Sequence, residues 1–207
     1  MKRKRRIDTR EVYRWKARLN VHGGKQQHGV NYWDTYAPVV TWSSIRLLLV
    51  LATMHSWETK QIDFVLAYPQ ADIECDMYME IPKGFEIDGN RKDYVLQLKK
   101  NLYGQKQAGR VWNQHLDKQL KAMQFKQSDH DECVYFHCDA MFVVYINGTI
   151  IAARTKATIS KIMHEIQKTM NISDEGTLSD YLGVKVCLLY TSPSPRDGAT
   201  SRMPSSA

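Results

Sequence analysis

Met-Phe-Val-Val-Tyr-Ile-Asn-Gly-Thr-Ile-Ile-Ala-Ala, at residues 141–153, is the stretch that decides the fold. Residues 141–145 form an apolar run that predicts a β-strand, and residues 150–153 predict the strand that returns beside it. Between the two runs stands Asn147-Gly148, a pair that favours the tight turns of β-hairpins. The stretch therefore predicts a hairpin, and the segments on either side are assigned around it.

Segments on both sides of this hairpin alternate between strand and helix patterns. Short alternating or apolar runs predict strands at residues 12–21, 57–66, 78–81, 94–98, 134–136 and 181–186. Helical spacing predicts three helices. The first follows a cap at Ser43 or Ser44 and ends near Ser56, and the other two cover residues 107–123 and 160–170. In the second strand, Ile62 and Phe64 share one face and Asp63 lies on the other. This order predicts an α+β fold, with helices packed on one face of a sheet.

Size and composition indicate a globular protein. The chain has 207 residues, 43% of them apolar, which suits one domain, or one domain with a small subdomain, that can bury a core. No apolar run approaches the roughly 20 residues that span a bilayer. The basic N-terminus is not followed by the apolar stretch of a secretory signal. We therefore expect no membrane partner.

The basic charge is concentrated at the start of the chain. Net charge is +7, and residues 1–18 hold nine Lys or Arg against Asp8 and Glu11. Such a stretch can meet a phosphate backbone or an anionic membrane, or serve as a nuclear address. A solvated basic end explains the same charges equally well. We assign residues 1–10 to a basic N-terminal segment and residues 11–187 to the core.

Cysteine usage favours a reduced, intracellular setting, cytoplasmic or nuclear. The four cysteines, at positions 75, 133, 138 and 187, form no Cys-x-x-Cys pair and no dense framework. His130, Cys133, His137 and Cys138 crowd together, so a zinc site is one interpretation. Their spacing matches no closed zinc site, and a strand at 134–136 sends neighbours to opposite faces. Half-buried strand residues are the favoured interpretation.

The end of the chain differs in character. Residues 190–207 are rich in Ser, Pro and Arg and almost lack large apolar residues. A segment of this composition cannot bury a core and is expected to be disordered. It resembles translated adapter sequence, so residues 188–207 are excluded as a tail.

Six stretches resemble elements of the copia-type retrotransposon reverse transcriptases, in the family's order, across about residues 11–187. They are YRWKARL at 13–19, YAPVV with IRLL at 36–48, QIDFVLAY at 61–68, MYMEIPKGF at 77–85, LKKNLYGQKQAGRVWN at 98–113 and YLGV at 181–184. The resemblance implies the fingers and the antiparallel palm sheet of a polymerase that copies RNA or DNA template-primer with deoxynucleoside triphosphates. It also implies a fragment, since capsid, protease, integrase and ribonuclease H regions are not visible.

The resemblance also implies a two-metal site of Mg²⁺ (or Mn²⁺), held in the family by three aspartates. Asp63 matches the first, as catalytic residue and metal ligand, although a strand acid can also simply face solvent. Tyr145-Ile146-Asn147-Gly148 stands where the family has Tyr-Val-Asp-Asp. Asn147 offers only a neutral amide oxygen, and Gly148 has no side chain. We therefore expect this copy to be inactive or nearly so, with Asp72 and Asp139 the nearest spare acids.

Four further positions match substrate-binding residues of the family. Tyr68 matches the aromatic beside the nucleotide sugar, and its alternative is a core aromatic. Lys16 and Arg18 match residues that hold the triphosphate, and their spacing puts both on one strand face. An exposed basic strand edge explains them as well. Gln107 matches a glutamine near the sugar and the growing base pair, and Gly109 stands where the family has proline.

Two basic residues and one aromatic in the same region allow less specific interpretations. Lys106 and Arg110 could contact phosphates or solvate the first turn of the helix. Trp112, at helical spacing, fits a core residue better than a base-stacking one.

Three interpretations of the whole chain remain open. The first is a decayed polymerase, the second a non-catalytic nucleic-acid-binding remnant, and the third a non-functional fragment that folds poorly.

Overall fold

A six-stranded antiparallel sheet lies at the centre of the computed structural model, in the order β10-β3-β9-β8-β7-β6. The structure describes residues 2–5, 11–16, 18–146, 148–178, 180–181 and 184–186. In chain order the elements are β1 Lys2–Arg5, β2 Val12–Lys16, α1 Trp42–Met54, β3 Glu58–Phe64, α2 Ala67–Gln70, β4 Asp72–Glu80, β5 Val95–Lys100, α3 Ala108–Ala122, β6 Lys126–Gln127, β7 Val134–His137, β8 Ala140–Tyr145, β9 Gly148–Ala153, α4 Lys156–Thr169, β10 Ile172–Gly176, β11 Asp180–Tyr181 and β12 Val184–Lys185.

The predicted hairpin is confirmed as β8 and β9, the two central strands of this sheet. Its turn, however, lies one residue earlier than predicted. Gly148 already pairs with Tyr145 as the first residue of β9. Ile146 therefore follows β8 directly within the turn, and Asn147 falls outside the described residues.

Helices cover both faces of the sheet, so the prediction of helices on one face was wrong. Phe142 and Ile151 belong to a core cluster that includes residues of α3 and α4. Their neighbours Val143 and Ile150 belong to a second cluster that includes residues of α1. All four are fully buried. The physical reason is visible in the strands themselves, because an apolar run without alternation must bury both of its faces.

The first turn of α1 is fixed by a residue outside the predicted cap. Thr41, rather than Ser43 or Ser44, is the N-cap, and its Oγ1 accepts a hydrogen bond of 3.2 Å from the backbone N–H of Ser44. Asp131 accepts from the backbone N–H of Thr41 at 3.1 Å and from the hydroxyl of Ser44. The helix start is therefore tied to the chain that leads into β7.

The remaining strands form separate two-stranded pairs. β4 pairs with β5 and is longer than the predicted 78–81, whereas β2 is shorter than the predicted 12–21. The predicted strand at 181–186 is divided between β11 and β12. β1 pairs with β2, so part of the basic N-terminal segment is joined to the range assigned to the core. The domain boundaries stay a prediction, and residues 188–207 fall outside the described chain.

Within the described residues, no helix is both long enough and apolar enough to cross a membrane.

Candidate active site

Asp63 lies on β3 at the point where three strands of the central sheet meet. It pairs with Gly148 of β9 and with Ser173 of β10. Its neighbours Ile62 and Phe64 are fully buried on the other face, as the alternation predicted, while Asp63 itself is half-buried. Asp63, which matches the first aspartate of the family, is therefore the register partner of Gly148, the last position of the hairpin motif.

Gly148 could carry a side chain without a clash. Among the described residues, a Cβ built there would meet the carbonyl oxygen of Tyr145 at 3.8 Å and nothing closer, an ordinary van der Waals distance. Its backbone is outside the left-handed region that favours glycine, unlike that of five other glycines in the described chain. The missing carboxylate at this position thus reflects the residue type alone and not the shape of the backbone.

The residues present do not fit a pair of divalent cations. Asp63 supplies one carboxylate, Gly148 supplies no ligand, and a hard cation such as Mg²⁺ needs several anionic oxygens. No group of three His, Cys, Asp or Glu side chains within the described part of the chain could hold a metal ion. Asp72 forms an ion pair with Lys100, whose hydrogen bond and charge lower the pKa of Asp72. Asp139 pairs with Arg154 at 3.4 Å.

Tyr68 and Arg18, two of the predicted substrate-binding residues, both contact Tyr103, which the sequence analysis did not single out. The ring of Tyr68 packs against Tyr103 with centroids 4.8 Å apart, and the guanidinium carbon of Arg18 lies 4.9 Å from the centroid of Tyr103. The Tyr103 ring therefore contacts both a cation and a second aromatic ring. Burial, and to a lesser extent Tyr103, raises the pKa of Tyr68 above its ordinary value. Tyr103 lies inside the LYGQKQ part of the motif at residues 98–113, and this was the sequence signal that could have identified it.

Tyr68 is held in place by the turn that follows β3. Leu66 adopts a left-handed backbone with φ of 53° and precedes the short helix α2. The side-chain amide of Gln70 donates to the carbonyls of Val65 at 2.7 Å and Asn171 at 2.9 Å, and it accepts from the backbone N–H of Asn171 at 2.8 Å. These bonds close the turn and fix the position from which Tyr68 projects.

Gln107 lies in the interior of the protein. Only 2% of the residue is exposed, and its Oε1 accepts from Gln26 at 2.9 Å. Its Nε2 is within hydrogen-bond distance of the Met77 sulfur at 3.2 Å and the Asn31 carbonyl at 3.4 Å. Both ends of the amide are thus engaged within the protein, and the expected contact with a sugar stays a prediction.

The basic candidates differ in their surroundings. Arg18 is exposed, whereas the side chain of Lys16, at the end of β2, lies outside the described part of the chain. Lys106 contacts the hydroxyl of Tyr32 at 3.0 Å, and Arg110 forms an ion pair with Glu74 at 2.9 Å. Both of these cations therefore have partners within the protein.

Trp112 is a core residue, as predicted, with 2% exposure. It lines a cavity of about 190 Å³ together with Tyr68, Gly109 and Ile146. The hairpin turn and the Tyr68 region therefore border the same cavity. A Cβ on Gly109, where the family has proline, would meet that of Ala37 at 3.4 Å.

The residues considered for a zinc site are separated in the fold. Cys133 is buried in the cluster beneath α1, where burial raises the pKa of its thiol to about 12. Cys138 is exposed beyond the other end of β7, with its sulfur 3.3 Å from Nδ1 of His137. The interpretation as half-buried strand residues holds for His137, whereas Cys133 and Cys138 lie in the turns before and after β7.

Comparison with known proteins gives one consistent result. A family described as reverse transcriptase (RNA-dependent DNA polymerase) matches residues 2–190. The retrovirus-related Pol polyprotein from transposon TNT 1-94 of Nicotiana tabacum is 35% identical over 187 residues, which cover 88% of this chain and 14% of that protein. The corresponding polyproteins from transposons RE1 and RE2 of Arabidopsis thaliana are 32% and 30% identical over 83% of this chain, and 12% of each is covered. The chain thus spans only a small part of the length of these relatives.

Proposed function

Because the chain belongs to the reverse transcriptase family found in retrotransposon Pol polyproteins, we propose that it is the fingers and palm of a copia-type polymerase. In the parent polyprotein this segment would copy an RNA or DNA template from deoxynucleoside triphosphates. We further propose that this copy is inactive, because the Tyr-Val-Asp-Asp motif of the family is replaced by Tyr145-Ile146-Asn147-Gly148. The setting we propose is intracellular, cytoplasmic or nuclear.

The pairing of Asp63 with Gly148 is the observation that carries this proposal. Reverse transcriptases generally use divalent metals, and the carboxylates that hold them must stand together. Here the strand position that matches the first aspartate lies beside a position that has no side chain. A loss of several kcal/mol of transition-state stabilisation corresponds to a rate lower by on the order of a thousandfold or more.

The substrate side of the site is better preserved than the catalytic side. Support comes from the row formed by Arg18, Tyr103 and Tyr68, which joins two positions matched to the triphosphate and the sugar. We propose that Arg18 contacts the triphosphate together with Lys16, and that Tyr68 excludes a 2′-hydroxyl. We assign Gln107 to support of the loop that carries Gln26, because its amide is buried and fully engaged.

Primer extension on an RNA template tests the proposal. The chain as it stands is compared with the Asn147→Asp/Gly148→Asp variant, which returns both carboxylates; the backbone at Gly148 leaves room for a Cβ. We expect extension by the variant alone. Equal activity of both chains would show that another carboxylate completes the site, and the account of the defect would be wrong.

A second candidate function, nucleic-acid binding without catalysis, is favoured by the charge distribution. Net charge is +7, and the register of β1 and β2 sets Lys2 beside Lys16 and Lys4 beside Arg14. Binding of a template-primer that weakens steeply with salt, without extension in either variant, would favour this function. Aggregation of the isolated chain would instead favour the non-functional fragment.

A further inference from the structure

Trp112 contacts the hairpin turn beside the last two motif positions and also the strand that carries Asp63. Its indole Nε1 donates a hydrogen bond of 2.9 Å to the backbone carbonyl of Ile146, directly after β8. Its ring packs edge-on against Phe64, the neighbour of Asp63 on β3, with centroids 5.1 Å apart. One buried, rigid side chain of α3 therefore reaches from the hairpin turn to the strand of Asp63.

The turn needs support because of the backbone of Ile146. This β-branched residue has φ of 56°, in the left-handed region that such residues rarely adopt. Its side chain is 44% exposed, so packing around it gives the turn little support. The hydrogen bond from Trp112 holds the carbonyl of this strained residue within the turn.

We propose that Trp112 is a positioning residue, whose N–H holds the hairpin turn at a fixed place relative to Asp63. The hydrogen bond from Trp112 to the hairpin turn is present in the chain as it stands. Its consequence for catalysis rests on the proposed function. The ring and the N–H have separable roles: core packing needs only the ring, whereas positioning needs the donor.

Amide hydrogen exchange on the chain as it stands separates the two roles. Trp112→Phe keeps an aromatic ring near Phe64 and removes the donor. In Trp112→Phe we expect the backbone amides of residues 148 and 149 to exchange about fivefold faster relative to the amides of β7. Fivefold is the change expected when one ordinary hydrogen bond is lost. Phe125→Leu is the matched control, since Phe125 is a buried aromatic of the same cluster whose ring contacts are with His137 and Phe142. If Trp112→Phe leaves the exchange rates of these hairpin amides unchanged relative to those of β7, the proposal is overturned.

The catalytic consequence is measured in the Asn147→Asp/Gly148→Asp background. There, Trp112→Phe is expected to lower kcat by about fivefold and to leave the KM for the nucleotide unchanged. Phe125→Leu is expected to change neither. An unchanged kcat in Trp112→Phe would overturn the catalytic consequence. If this background extends no primer, the polymerase proposal fails, and the exchange measurement still decides the role of Trp112.

Discussion

At the residue scale, the proposed loss of activity rests on what stands at two hairpin positions, Asn147 and Gly148. Asp63 is present, half-buried and paired with Gly148 in the sheet. The backbone at Gly148 is one that any residue can adopt, with room for a side chain. We propose that the defect is chemical and local, since Asp63 and position 148 stand side by side in the sheet.

Gly148→Ala is expected to be neutral or to raise the free energy of unfolding by about 0.5 kcal/mol, because alanine restricts the unfolded chain more than glycine does. Gly104→Ala is the contrasting change. Gly104 has φ of 91°, and its Cβ would overlap the carbonyl oxygen of Val21. We expect a loss of about 2 kcal/mol or more there. Urea denaturation of both variants measures the difference, and a comparable loss in both would contradict the geometry at Gly148.

Tyr68→Val, made in the Asn147→Asp/Gly148→Asp background, is expected to raise incorporation of ribonucleotides relative to deoxynucleotides by about tenfold or more, which corresponds to ~1.4 kcal/mol. The reason is the loss of the ring that would clash with a 2′-hydroxyl. Single-nucleotide insertion with matched ribo- and deoxynucleotides measures the ratio. Tyr78→Phe serves as the control, since Tyr78 is an exposed residue of β4. An unchanged ratio in Tyr68→Val would remove Tyr68 from the sugar site.

At the element scale, the position of α1 is the least expected feature of the fold. The helix presents apolar residues around most of its circumference, with Ile45, Leu48 and Ala52 buried and Leu47 and Val50 exposed. Its own sequence pattern therefore does not show which side faces the sheet. The continuous apolar runs of β8 and β9 require a partner on each face, and α1 supplies the second.

Leu48→Ala is expected to lower the free energy of unfolding by about 3 kcal/mol, because Leu48 is fully buried against the sheet. Leu47→Ala, one residue away and 56% exposed, is expected to change it by less than about 0.5 kcal/mol. Thermal or urea unfolding compares the two variants directly. Similar losses for both would mean that α1 does not pack on the sheet through this face.

Asp131 links the start of α1 to β7, and its effect on stability depends on pH. Burial alone would raise the pKa of this carboxyl, but hydrogen bonds from Ser44, Cys133 and Thr41 outweigh it and lower the pKa. A lowered folded-state pKa contributes stability above the unfolded value of about 3.9, and that stability is lost as pH falls through the folded value.

Asp131→Asn is therefore expected to cost about 1 kcal/mol of unfolding free energy at pH 7, the value of a typical helix cap. The difference from the parent chain should shrink as the pH falls below about 4. Urea denaturation at several pH values measures it. A difference that stays constant down to pH 3 would contradict the proposed role of the carboxylate.

At the scale of the whole molecule, the sequence predicted what depends on neighbours along the chain. The hairpin, the strand with Asp63 opposite Ile62 and Phe64, and the core position of Trp112 all follow from local periodicity. Contacts between distant segments could not be predicted in this way. The ring of Tyr103 meets Arg18 and Tyr68 only after folding, and the cap of α1 is completed by Asp131. Gln107 was assigned from its motif, yet its burial depends on Gln26 and Met77.

The relatives are much longer than this chain. The reverse transcriptase match covers residues 2–190 of the chain, but the chain covers only 12 to 14% of the Pol polyproteins it resembles. We propose that other regions of such a polyprotein, integrase and ribonuclease H among them, act with this segment in the parent element.

The most direct test of the central claim is the rate of single-nucleotide incorporation on an RNA template, with Mg²⁺ present, by three forms of the full chain. They are the chain as it stands, Asn147→Asp/Gly148→Asp, and that double variant with Asp63→Asn added. We predict incorporation by the double variant alone, at a rate at least about a thousandfold above both others. Incorporation by the present chain at the rate of the double variant, or by the form without Asp63, would contradict the assignment of the site to Asp63 and the hairpin.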